Sequence, residues 1–147
     1  MIEYRDRVRP EWIDYNGHLS EPFYVMVFGF ATTNLMAVTG IDERYREETG
    51  GSLYTVEAHV RYLREVGPDA DLLVTTTVVS VGEKKVRLCH EMSVGDTLVA
   101  TEELLALHVA NARATPFPEE VAGRLRKLLA PPACPTPGTR VSNTRDR

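Results

Sequence analysis

The sequence predicts an α+β domain in which a curved antiparallel sheet wraps around one long central helix. Three observations carry this. A run of twenty residues without a charge, Pro22–Ile41, follows a polar loop near the start of the chain. Later segments alternate in polarity with the period of a strand and are separated by short glycine-bearing turns. A helix that is apolar around most of its circumference is poorly covered by one flat sheet, whereas a strongly curved sheet can cover it.

Taken in order, residues 2–9 form a first strand that ends at Pro10. Ser20 is placed to cap the helix, with Glu21 in its first turn and Pro22 where no N–H is missed. The helix runs to about Val38 and stops at Gly40. Phe23, Val27, Phe30 and Asn34 make one stripe, and Tyr24, Phe28, Ala31 and Leu35 the next. The mixed-charge run Asp42–Glu48 reads as a solvated loop or helix end. In the strand over residues 52–66, Tyr54, Val56, Ala58, Val60 and Tyr62 share one face, and Thr55, Glu57, His59 and Arg61 the other. Strands over 71–81, 84–94 and 97–112 follow, and the short turns predict an antiparallel meander. Residues 118–130 form a surface helix with an acidic start and a basic end. The domain therefore spans residues 1–130. Residues 131–147, rich in Pro, Gly, Thr, Ser and Arg and without periodicity, are expected to be a disordered C-terminal tail.

Composition excludes several function classes. The chain has 147 residues, with 17 basic against 21 acidic, a net charge of −4. That balance argues against a nucleic-acid partner, which needs a basic face. Pro22–Ile41 is long enough to span a membrane. However, it contains Thr32, Thr33, Asn34 and Thr39, and acidic rather than basic residues flank it, so it reads as a core helix. The two cysteines, Cys89 and Cys134, have no metal or redox spacing, and no apolar leader opens the chain. A reduced, cytoplasmic protein is expected. The sequence has no G-x-S-x-G, H-E-x-x-H, C-x-x-C or glycine-rich phosphate loop, so neither a metal nor a bound cofactor is expected.

The loop Asp14-Tyr15-Asn16-Gly17-His18-Leu19-Ser20, set between the first strand and the long helix, resembles the D-x-x-G-H signature of the 4-hydroxybenzoyl-CoA thioesterase-like family. Tyr24, seven residues after Gly17, matches a recurrent aromatic position there. The resemblance covers residues 3 to 120 by element order and implies the hotdog fold. A narrower resemblance runs through "PEWIDYNGHLSEPFY", "TVEAHVRYLREV", "ATEELLALHV" and "PFP". These segments are similar to the thioesterases of carnitine catabolism, which act on betainyl-CoA. Where many family members carry two Asn after the Gly-His pair, this chain has Ser20 and Glu21. The resemblance implies a thioester hydrolase acting on a small acyl-CoA, with CoA present only as part of the substrate. It also implies a homodimer or homotetramer.

Thioester hydrolysis needs an activated water or nucleophile, a polarised carbonyl, and a place for the acyl group and CoA. Asp14 is the candidate base or nucleophile. Free N–H groups near Ser20, Glu21 and Phe23 at the helix start are candidate oxyanion donors, and Gly17 lets backbone approach the substrate. An Asp before a helix is also a common turn former, which is the competing account of Asp14. Asn16 and His18 are read as holding the loop, with His18 placed to orient Asp14 or contact substrate. Glu57 and His59 are read as surface polars or as residues that complete a neighbouring subunit's pocket. A cationic acyl group would be bound by aromatic rings. Phe23 and Tyr24 are read as core, which leaves Trp12 and Tyr15 in the loop, with Tyr62, as the cage candidates. His90 and His108 are read as satisfied core histidines. The reading from a different class is a non-catalytic hotdog that binds an acyl thioester or a partner protein.

Overall fold

In the computed structural model, which describes residues 1–131 and Cys134, the chain opens with strand β1, Ile2–Arg7. A 3-10 turn at Pro10–Trp12 leads through the Asp14 loop into helix α1, Glu21–Thr39. Ser20 takes the N-cap position with extended backbone but makes no side-chain capping bond. Gly40 ends the helix at φ +88°, and its N–H reaches the carbonyls of Met36 and Ala37. Then follow α2 (Glu43–Thr49), β2 (Gly51–Tyr62), β3 (Asp71–Val81), β4 (Lys85–Val94), β5 (Thr97–Ala110), the short β6 (Arg113–Ala114) and α3 (Glu119–Lys127). The run after Asp42 is thus a helix in its own right, and the Asp42 carboxylate caps it by accepting from Tyr45 N–H at 2.8 Å.

The strands form one antiparallel sheet in the order β1-β3-β4-β5-β2, with β6 beside β5. The expected four-strand meander is therefore corrected. Only β3, β4 and β5 follow one another, while β2 lies beyond β5 at the far edge and β1 closes the other. Helix α1 crosses the face of the sheet between those two edge strands, and the sheet curls around it as a half-barrel.

The curl covers one side of the helix. Tyr24, Val27, Phe28, Ala31, Thr32, Leu35 and Thr39 are buried, whereas Val25, Phe30 and Val38 are 42%, 38% and 55% exposed. The uncharged run of α1 is thus half core and half apolar surface within one chain. One core cluster packs Val8, Trp12, Leu19, Val27 and Met92 around its first half. A second packs Leu35, Ile41, Leu104, Phe117 and Leu125 around its second half and α3.

A bulge in β2 changes its faces. Thr55 pairs with Ala106 and Glu57 with Leu105, so Val56 has no partner of its own. The alternation read from the sequence therefore inverts at Val56. Thr55 shares the α1-facing side with Ala58, Val60 and Tyr62, while Tyr54 joins Glu57, His59 and Arg61 on the outer side.

Both histidines read as core are buried and bonded. His90 lies between Thr32 and Thr76, each hydroxyl 2.8 Å from a ring nitrogen. Thr32 donates its own proton to Phe28 O, so its oxygen accepts from His90 Nε2–H, and His90 Nδ1 accepts from Thr76. His108 donates from Nδ1 to Thr115 O and accepts from the Tyr45 hydroxyl.

The expectation of unpaired, reduced cysteines is overturned. Cys89, on the outer face of β4, is joined to Cys134 in a disulfide with the Cα atoms 5.7 Å apart. Spacing alone gave no sign of it, because the two cysteines lie 45 positions apart with the whole of β5 and α3 between them. The disorder expected for residues 131–147 falls, apart from Pro131 and Cys134, outside the described residues.

Candidate active site

The loop before α1 is built like a small hairpin. Ile13 and Leu19 form a bridge, Asp14 N–H donates to His18 O at 2.9 Å, and Gly17 N–H donates to Asp14 O at 3.0 Å. Gly17 sits at φ +80°, a conformation that L side chains resist. Two further bonds fasten the loop to its surroundings, Ser20 N–H to Trp12 O at 2.9 Å and Leu19 N–H to Val66 O at 2.8 Å.

Within this frame Asp14 uses one oxygen structurally. Its Oδ1 accepts from Asn16 N–H at 2.9 Å and, more weakly, from His18 N–H at 3.4 Å. The turn-former account thus describes Oδ1, while Oδ2 has no hydrogen-bond partner among the described residues.

Asp14 opens onto a cleft of about 620 Å³ that Asn16, His18, Leu19, Glu21, Tyr24, Tyr62, Arg64 and Glu65 also line. That size suits a small acyl group with part of its carrier. Of the three helix-start donors named from the sequence, two are occupied. Ser20 N–H is held by Trp12 O, and Phe23 N–H by Ser20 O at 3.0 Å. Glu21 N–H has no backbone acceptor among the described residues, and Glu21 lines the cleft at the positive end of the α1 dipole.

The walls carry negative charge and aromatic surface. Asp14, Glu21 and Glu65 face the cleft against Arg64, with the His18 ring 3.3 Å from the Glu65 carboxylate. Tyr24 and Tyr62 meet edge to face at 5.1 Å, and the Tyr24 hydroxyl donates to Arg64 O at 3.2 Å. Burial raises the pKa of both phenols. Glu65 and Asp14 add to the effect at Tyr24, and Glu21 and Glu102 at Tyr62. Both therefore stay protonated and present neutral ring faces in a negative field.

The structure brings Asp14, Asn16, His18 and Glu21 together as expected, around the turn that Gly17 makes. It places the other candidates elsewhere. Trp12 is 3% exposed, stacked on Phe23 at 5.7 Å with the Arg9 guanidinium over its ring. Tyr15 is 98% exposed and is not among the residues that line the Asp14 cleft. The rings that line the Asp14 cleft are Tyr24, read as core, and Tyr62, one of the named candidates. Glu57 and His59 lie on the outer face of the sheet, in a separate hollow with Arg87 and Glu103. Arg64 and Glu65, which follow β2, were not singled out from the sequence. Their signal was indirect, since the strand pattern fades into Leu63–Val66 just where the chain turns under the loop.

The sequence pattern of the thioesterase-like superfamily matches residues 8–125. The chain belongs to this superfamily. It is 39% identical over 143 residues to the betainyl-CoA thioesterase of Pseudomonas aeruginosa, covering 93% of this chain and 89% of that one. It is 38% identical over 127 residues to the L-carnitine dehydrogenase/betainyl-CoA thioesterase of Rhizobium meliloti. That match covers 83% of this chain but only 25% of the longer protein. Among solved structures, a Staphylococcus aureus protein in complex with CoA superimposes with a TM-score of 0.86 at 23% identity, over 95% of this chain and 93% of that one. As a superfamily member with the hotdog fold, this chain is an acyl-CoA thioesterase. It is a hydrolase of thioesters, which sets aside the non-catalytic alternative.

Proposed function

We propose that this thioesterase hydrolyses betainyl-CoA to betaine and CoA, with Asp14 acting on the thioester carbonyl. The observation that carries the reading is the divided Asp14 carboxylate. One oxygen is anchored by the loop, while the other has no partner among the described residues, and Glu21, whose N–H lacks a backbone acceptor among them, lines the same cleft. Placed there, a thioester carbonyl has a carboxylate on one side and a backbone donor for its developing oxyanion on the other. Betainyl-CoA carries a permanent positive charge on its acyl group, and the negative, tyrosine-lined cleft suits that charge. The identity to the P. aeruginosa enzyme supports the same substrate.

CoA is needed only as part of the substrate in this reading. A cytoplasmic location belongs to it as well, because acyl-CoA esters are intracellular, and there the Cys89–Cys134 pair would meet a reducing pool. So does a homodimer or homotetramer. The open edge of β2 and the exposed apolar side of α1 both support association.

The decisive experiment is turnover of betainyl-CoA by wild type and Asp14→Asn. Asn keeps an oxygen for the Asn16 N–H, so the loop should survive with an unchanged melting temperature. The expected loss in kcat is about 100-fold or more. A variant as fast as wild type removes Asp14 from the chemistry. Single turnover in ¹⁸O water tests the nucleophilic role, since label reaches Asp14 only from an anhydride that water opens at the Asp14 carbonyl.

A further inference from the structure

Glu102, on β5, is 4% exposed, and no described residue hydrogen-bonds its carboxyl. Across the sheet it faces Val60 of β2 on one side and His90 of β4 on the other. His90 gives it nothing. Both ring nitrogens are satisfied by Thr32 and Thr76, and Glu102 Oε1 lies 4.0 Å from Nε2, beyond a hydrogen bond. Burial also lowers the His90 pKa to about 4, so it brings no positive charge.

Among the described residues every side-chain oxygen sealed from solvent has a hydrogen-bond partner, so the Glu102 carboxyl, which has none, keeps an edge open to solvent in a mostly apolar place, where its charge is costly. Its direction points to a use. Val60 and Tyr62 share the face of β2 that looks toward α1, and Tyr62 pairs with Ala100, two residues before Glu102. Glu102 is therefore the diagonal neighbour of Tyr62, a wall residue of the Asp14 cleft. Asp14, Tyr24, Tyr62 and Glu102 form a continuous series from the reactive loop to the sheet floor. The Tyr62 hydroxyl feels the Glu102 charge.

We infer that Glu102 is the specificity-determining counter-charge for a cationic acyl group, acting from behind the Tyr24–Tyr62 pair. A quaternary ammonium has no N–H to donate, so it needs ring faces and a nearby negative charge rather than hydrogen-bond acceptors. The Tyr24–Tyr62 pair supplies the rings. Glu102 supplies a charge in a poorly solvated place, where a Coulombic attraction persists over several ångströms. The arrival of the cation in turn stabilises the ionised form of Glu102. This inference rests on the betainyl reading.

The test compares two substrates of equal shape, betainyl-CoA and 3,3-dimethylbutanoyl-CoA, in which carbon replaces the charged nitrogen. The readout is the ratio of their kcat/KM values, in which a loss common to both substrates cancels. Wild type should favour the cationic ester by about tenfold or more, and E102Q should lower that ratio at least tenfold. E102D, which keeps the charge, should stay closer to wild type. E102M is the second neutral variant and should behave like E102Q. Gln keeps the size and shape of the Glu102 side chain and removes only its charge, so E102Q is expected to fold as wild type does. An E102Q or E102M ratio equal to that of wild type overturns the inference while leaving the substrate assignment intact, as does a wild type without cationic preference. A wild type that hydrolyses the neutral ester but not betainyl-CoA refutes the substrate assignment and this inference together.

Discussion

Glu102 and His90 face each other across β4 and β5, and burial favours the uncharged form of each. Their effects on stability run in opposite directions with pH. Burial raises the Glu102 pKa from 4.5 to about 7. The folded state therefore holds its proton more tightly than the unfolded chain. That contribution is fully present below about pH 4.5 and is lost as pH rises through 7, on the order of 3 kcal/mol in all. His90, lowered from 6.5 to about 4, contributes stability that is present above 6.5 and lost as pH falls through 4. The substitution E102Q removes the first effect alone. It should melt several degrees above wild type at pH 8, with the gap closing toward pH 4.5. Scanning calorimetry at the two pH values checks this, and a gap independent of pH contradicts it. At this scale, the reactive loop was legible in the sequence because Asp14, Asn16, Gly17 and His18 act within five residues. Arg64, Glu65 and Glu102 were not, because the fold brings them to or behind the cleft from segments distant in sequence from the loop.

Helix α1 shows which signals an element carries in its own residues. Pro22 and Gly40 bracketed it correctly, since a missing N–H at the start and a left-handed residue at the end are local requirements. What covers the helix is a property of the sheet, so the sequence could not show that only one side is buried. Gly40 also has a tertiary role. Arg124 from α3 packs against its Cα, where a side chain would collide with the Arg124 Nη1 atom, and the same guanidinium reaches Thr39 O at 3.5 Å. Gly40→Ala should cost about 1–2 kcal/mol, from the left-handed strain together with displacement of Arg124. The urea midpoint measures it, and a cost below about 0.5 kcal/mol would mean that the α1–α3 corner yields freely. Strand β2 is the counterexample to local legibility. Its alternation was correct on each side of Val56 and inverted between them.

As a whole, the molecule is a half-barrel whose helix keeps an apolar side in the open and whose sheet ends in two strands, β1 and β2, each paired on one side only among the described residues. Light scattering should give a mass at least twice the 16.4 kDa of the chain, and a monomer at micromolar concentration would oppose the proposed assembly. The order of elements revealed this architecture early, because a long uncharged helix followed by strands leaves few ways to bury the apolar surface. The placement of β2 beyond β5 and the Cys89–Cys134 link were hidden, since both join segments distant in sequence. That link makes a closed covalent ring of everything from β4 to Cys134. A protease that cuts once inside the ring, for example after Lys127, would leave a single band on a non-reducing gel and release two fragments on a reducing one. Hydrolysis of the backbone there is silent until a thiol reagent reveals it.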